Sequence, residues 1–116
     1  MARPASMDAV FRALGSPVRR RMLDVVKNRP GCSVNDVWGC FRISRIAVMK
    51  HLEVLAKAGL LHSRKVGRRR ELYINVIPLR MIYDRWTTDY SALWAGELTA
   101  VKYRAEQKGG RHEGNP

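Results

Sequence analysis

Acidic residues are scarce in this chain: 10 Asp and Glu stand against 22 Lys and Arg, a formal net charge of +12 at pH 7. Such a field attracts polyanions, which points to nucleic acid or an anionic membrane face as partner. Cysteine is nearly absent too. Two thiols make no disulfide scaffold, and they fit a reducing cytoplasm. No apolar run is long enough to cross a bilayer. Met1 to Arg12 has no apolar stretch behind its basic residue, so no secretory signal is expected. Neither a nucleophile-base pairing, a phosphate-cradling glycine loop nor paired carboxylates stand out, so the chain is read as a non-enzyme that needs no cofactor. What it does have is 116 residues that are 46% hydrophobic, enough for one modest core.

Charge placement says more than the total. Between Arg42 and Arg70, nine Lys and Arg face Glu53 alone. A surface made only for solubility intersperses its signs. This segment is read as a binding face.

Helix signals come in order along the chain. Ser6 can cap a short helix through Leu14, with Gly15 as its stop. Ser16-Pro17 reads as N-cap and first helical residue of a second, whose stripe is Val18, Met22, Val25 and Val26. Asn28 to Gly31 breaks it. Ser33 with Asp36 forms an acidic capping box for a third helix, and Cys32 and Val37 stand where a hydrophobic staple belongs. After a turn at Arg42-Ile43, Ser44 caps a fourth helix, Arg45 to Ala58, with Val48, Leu52 and Leu55 as its buried stripe and Gly59 as its end. Two helices across a tight turn, the second basic on its outer face, are a helix-turn-helix. Two strands follow, Leu60 to Lys65 and Arg69 to Val76, joined through Gly67, and their arginine-rich tip reads as a wing.

From Pro78 to about Glu106 a last helix is expected, with Leu79, Ile82, Trp86, Tyr90, Leu93 and Trp94 along one side. A helix of about 29 residues is roughly 43 Å long, more than so small a core can cover. Its stripe therefore predicts a homodimer seam. The expected organisation is a DNA-binding domain over 7–76, a dimerisation helix over 78–106 and a disordered polar tail over 107–116.

Three motifs carry a resemblance to a known family. They are Phe11-Arg12-Ala13-Leu14-Gly15-Ser16-Pro17-Val18-Arg19, then Ile43-Ser44 with Val48, His51-Leu52, Leu55 and Ala58-Gly59-Leu60-Leu61, then Gly67-Arg68-Arg69 with Tyr73. In this order and spacing they resemble the arsenical-repressor (ArsR-type) winged helix-turn-helix regulators, in a branch without metal sites. The resemblance implies a mainly α fold with a small β-hairpin wing. It also implies a homodimeric cytoplasmic repressor at the nucleoid, bound to double-stranded DNA at a pseudo-palindromic operator and not to membrane. Metal-sensing members carry Cys-x-Cys in the third helix, or His and carboxylates on the last. Here the third helix offers only Cys40, and the last has Asp84, Asp89 and Glu97 without His, so no metal is expected. Met49 stands where the family usually has a small hydroxylated residue, so a different base preference is expected.

The candidate DNA-contacting residues are Ser44, Arg45, Ile46, Ala47, Met49, Lys50 and His51 on the fourth helix, and Arg64, Arg68 and Arg69 on the wing. Basic side chains can reach guanine edges or phosphates, and apolar ones thymine methyls. A purely solvated face would not choose an exposed Ile and Met. The wing arginines can also serve as a charged edge against strand pairing. Strand alternation sends Arg69 and Arg70 to opposite faces, which leaves Arg68 as the best wing contact. His51 sits at the margin of the core stripe, where simple packing explains it. Cys32 and Cys40 suit no Cys-x-x-Cys motif, though thiol sensing by Cys40 stays open. An architectural or RNA-binding module, and a protein-interaction adaptor, are the remaining alternatives.

Overall fold

The computed structural model describes residues 6–88 and 105. The chain divides into two units, Met1–Ile82 and Tyr83–Pro116. In the first, a serine starts each of four helices: α1 (Met7–Leu14), α2 (Pro17–Asn28), α3 (Val34–Trp38) and α4 (Arg45–Lys57). The hydroxyls of Ser6, Ser16, Ser33 and Ser44 accept from the backbone N–H groups of Ala9, Arg19, Asp36 and Ala47 at 3.1, 3.2, 3.1 and 3.1 Å. Each such cap is worth about 1 kcal/mol.

The helices bury Val10 and Ala13 of α1, Met22, Leu23 and Val26 of α2, Val37 of α3, and Val48, Leu52 and Leu55 of α4. The α2 stripe differs slightly from its expected form. Leu23 is buried beside Met22, while Val18 and Val25 are only partly covered. Arg19 and Arg20, off that stripe, turn back to α1. Arg19 donates to the carbonyls of Ala13 and Arg12 at 2.9 and 3.0 Å, and Arg20 to that of Leu14 at 2.6 Å. They satisfy carbonyls that the end of a helix leaves without partners.

Strands β1 (Leu61–Val66) and β2 (Arg69–Ile74) pair antiparallel, with Leu61 opposite Ile74 and Val66 opposite Arg69. Gly67 has φ 63° and Arg68 does not have a positive φ, the pattern of a type II′ turn over Gly67-Arg68. Cys32 bridges to Leu72, with N–H groups of Gly31 and Leu72 donating to the carbonyls of Leu72 and Cys32 at 2.8 Å each. The loop before α3 is thereby tied to the wing.

The second strand stops at Ile74, two residues earlier than expected, and Asn75 closes it. Its backbone N–H donates to the Leu60 carbonyl at 2.8 Å, its Nδ2 to the Gly59 carbonyl at 2.9 Å, and its Oδ1 accepts from Ile77 N–H at 3.2 Å. One side chain thus closes the end of α4 and opens α5 (Ile77–Thr87). Asn75→Ala should cost about 1 kcal/mol, since it strands the partly buried Gly59 carbonyl and removes the cap on Ile77 N–H. Urea unfolding checks this, and an unchanged midpoint would count against the fastening role.

On α5, Leu79 and Ile82 pack against the chain's own core, whereas the sequence placed them on a partner-facing stripe. Val76, Ile77 and Met81 are exposed instead. The reason is geometric: the start of α5 is held against the end of α4 by Asn75, so its first inward turn is used at home. In the second unit, Tyr83 and Trp86 are exposed, and the Arg85 guanidinium lies 5.6 Å from the Trp86 ring centre. The expected helix beyond residue 88, with Tyr90, Leu93 and Trp94, and the tail over 107–116 lie, Ala105 apart, outside the described residues. Among the described residues no helix is long and apolar enough to cross a membrane.

Candidate nucleic-acid interface

The turn between α3 and α4 is pinned by two aromatic side chains. The Trp38 indole N–H donates to the Ile43 carbonyl at 3.0 Å, and the Arg21 guanidinium sits 4.9 Å from the Phe41 ring centre. With Val48, Leu52 and Leu55 facing the core, α4 must present its other side outward. That side carries Arg45, Ile46, Met49, Lys50 and Glu53, all exposed. Ile46 keeps 68% of its surface in water, a poor choice for a surface with nothing to bind. Ala47 is half-buried, and the Ser44 oxygen is engaged in capping while its own proton remains free to donate. His51 is turned away toward α2. Its Nδ1 lies 3.2 Å from Arg19 Nη1 and must accept there, since a guanidinium only donates.

The wing sorts its arginines by face. Residues opposite one another in a ladder share a face. Arg70 therefore lies on the side of Leu72, and Arg64 and Arg69 on the other. Arg64 Nη2 lies 3.3 Å from Glu71 Oε1, and Arg69 Nη2 reaches the Gly31 carbonyl at 3.2 Å and Asp36 at 3.4 Å. Two of the three wing arginines named from sequence are thus engaged within the chain, and only Arg68 is not. Arg70, which the alternation argument left out of the candidates, joins this face. It donates to Ser63 Oγ at 2.9 Å and overhangs α4. Its parity with Leu72 was the available signal: near the tip, the core-facing side of the ribbon runs past the core and onto α4.

Two adjoining concavities, about 530 and 710 Å³, lie between α4 and the wing and share Met49 and Arg70. Arg45 and Arg68 line the first, Ile46 and Lys50 the second. Arg45 is fixed within it, Nε donating to Asn35 Oδ1 at 2.8 Å and Nη1 to Met49 Sδ at 3.2 Å.

Asp36 joins α3, the loop before it and the wing. The capping box is complete, with Ser33 N–H donating to Asp36 Oδ2 at 2.9 Å, and Arg29 and Arg69 approach at 3.8 and 3.4 Å. The Ser33 backbone N–H first, then its hydroxyl, then the two guanidiniums hold the Asp36 carboxyl below the usual carboxylate range. Glu71 is lowered likewise, first by the Tyr73 hydroxyl at 2.8 Å and then by Arg64. For such depressed groups the stabilisation is complete above the unfolded carboxylate value and lost as pH falls through the folded one. Asp36→Asn should therefore destabilise near neutrality, and its gap from wild type should close below about pH 4. Unfolding midpoints across that range test this. A gap that stays constant with pH would show that the charge is not involved.

Cys32 is buried, and burial pushes its thiol up; Cys40 is exposed, its Sγ 3.5 Å from the Asp36 carbonyl. Both are free thiols. Among the described residues, no three His, Cys, Asp or Glu side chains cluster where they could hold a metal ion.

A basic helix after a pinned turn, overhung by a β-ribbon across a cationic cleft, defines a winged helix-turn-helix DNA-binding module. Comparison with known proteins agrees. A family model described as a helix-turn-helix domain matches residues 14–64. The chain is 35% identical over 85 residues to YuzN, an uncharacterized HTH-type transcriptional regulator of Bacillus subtilis, covering 68% of this chain and 92% of that protein. It is 31% identical over 62 residues to the transcriptional repressor SdpR of the same organism, covering 53% of this chain and 68% of SdpR. The solved structure of an ArsR-like transcriptional regulator from Rhodococcus sp. RHA1 matches with a TM-score of 0.65 at 30% identity, covering 87% of this chain and 91% of that one. The chain belongs to the ArsR-like winged helix-turn-helix transcriptional regulators.

Proposed function

We propose that this regulator is a homodimeric repressor that occupies a pseudo-palindromic operator in the cytoplasm, at the nucleoid, and acts by binding rather than by catalysis. The observation that carries the reading is the shared cleft: Arg45, Met49 and Lys50 of α4 face the same concavities as Arg68 and Arg70 of the wing. In this reading α4 enters the major groove, where Ser44, Arg45, Ile46, Ala47, Met49 and Lys50 approach bases and phosphates. Arg68 and Arg70 hold the flanking backbone. Arg64, Arg69 and His51 brace the frame and reach DNA less directly. Two subunits joined through their last helices fix the half-site spacing.

Selection of bound duplexes from a random pool tests this. A short palindromic consensus is expected, and equal recovery of all duplexes, or of single strands, would overturn it in favour of an architectural or RNA-binding role. Zinc, cadmium and arsenite are expected to leave the complex intact, since too few soft donors converge to close a four-coordinate site. Release of DNA in a gel-shift titration, abolished in the Cys32→Ser/Cys40→Ser variant, would contradict that.

A further inference from the structure

We propose that Asn35, on α3, sets base preference without touching a base, by holding Arg45 as a rigid reading fork for guanine. The inference rests on α4 being the recognition helix. A long exposed side chain such as Arg45 ordinarily samples many rotamers and loses that freedom when it binds. Here that freedom is already reduced, because Nε donates to Asn35 Oδ1 at 2.8 Å and Nη1 to Met49 Sδ at 3.2 Å. A guanidinium has no acceptor, so Asn35 must offer its oxygen and turn its amide NH2 elsewhere.

The consequence lies in which donors remain. A guanidinium can present a side-on pair, Nε with Nη2, or an end-on pair, Nη1 with Nη2. Asn35 occupies Nε, so the side-on pair is closed. The end-on pair survives, since Nη1 carries two hydrogens and a thioether is a weak acceptor, easily given up. In the major groove guanine shows two adjacent acceptors, O6 and N7, while adenine replaces one with a donor. A fork tethered at Nε and unable to accept is matched to guanine. Met49 thereby has a use in this chain: its sulfur steadies the far side of the fork.

The test takes the full-length wild type, Asn35→Ala, Arg45→Ala and the double variant through the same pool selection, then measures affinity for the selected duplex with each guanine replaced in turn. Wild type should prefer one guanine per half-site by about ten- to hundredfold, the span of a good bidentate contact. Asn35→Ala should reduce that preference to a few-fold, leaving affinity for unrelated duplex and the melting temperature near wild type. In Arg45→Ala the preference should vanish, and adding Asn35→Ala should change nothing more. If Asn35 were merely structural, its loss would weaken all duplexes alike. Asn35→Ser serves the same test should the alanine variant melt early. A wild type that selects a site while both Asn35 variants keep full guanine preference overturns the inference and leaves the regulator intact. A wild type that selects no site overturns the regulator reading, and the inference with it.

Discussion

Raising salt from about 50 to about 200 mM is expected to lower the affinity for operator DNA by about a thousandfold or more. Lys50, Lys65, Arg68 and Arg70 form no ion pair among the described residues, so their charges are available to phosphates. Each phosphate neutralised adds about −0.9 to the slope of log K against log salt, and two subunits bring a dimer to roughly 6–10 neutralised phosphates. The structure adds a ranking that net charge alone lacks. Arg68→Ala should make the slope shallower by about one for each phosphate that the missing guanidinium no longer neutralises. Arg64→Ala should change it less, because Arg64 is held by Glu71. Fluorescence anisotropy over a salt series measures both slopes. A flat dependence for wild type would remove the electrostatic argument, and equal changes for the two variants would remove the ranking.

Placing glutamate at two exposed positions of α5, Met81→Glu with Trp86→Glu, is expected to split the proposed dimer. Each side chain is 58% exposed, so neither substitution disturbs the core, and the melting of the monomer fold should change little. In a symmetric interface each new charge meets a copy of itself, in a surface that otherwise gains by burying apolar area. Loss of the second half-site then removes the gain from linked binding, about a hundredfold or more in operator affinity. Sedimentation velocity should show a monomer at concentrations where wild type is a dimer. A dimer that persists would move the seam off the exposed surface of α5, and an unchanged operator affinity in a proven monomer would show that dimerisation is not what fixes the site.

Much of this protein was legible because its signals are local. Ser6, Ser16, Ser33 and Ser44 each cap a helix three residues ahead, an interaction too short in sequence for tertiary context to redirect. The stripe Val48, Leu52, Leu55 fixed which side of α4 faces out, and hence that Arg45, Ile46, Met49 and Lys50 are exposed. Gly67 marked the wing tip because the turn needs a positive φ there.

The partners of the arginines were not legible. Nothing local sends Arg69 to Asp36, 33 residues away, or Arg19 to His51 across 32. A flexible cation takes whichever acceptor the packed fold brings within reach, and that depends on how α3 and the wing close on each other through the Cys32–Leu72 bridge. The same closure hangs Arg70 over α4, the packing of α3 on α4 sets Asn35 against Arg45, and the Asn75 fastening turns Leu79 and Ile82 inward. By itself the sequence determined the first four helices with their caps, the hairpin and the outward face of α4, because hydrogen-bond geometry and periodicity act over three or four residues. Which cations stay outside the ion pairs of the described residues was decided only by the tertiary structure, because charge pairing acts through space between segments that only packing brings together.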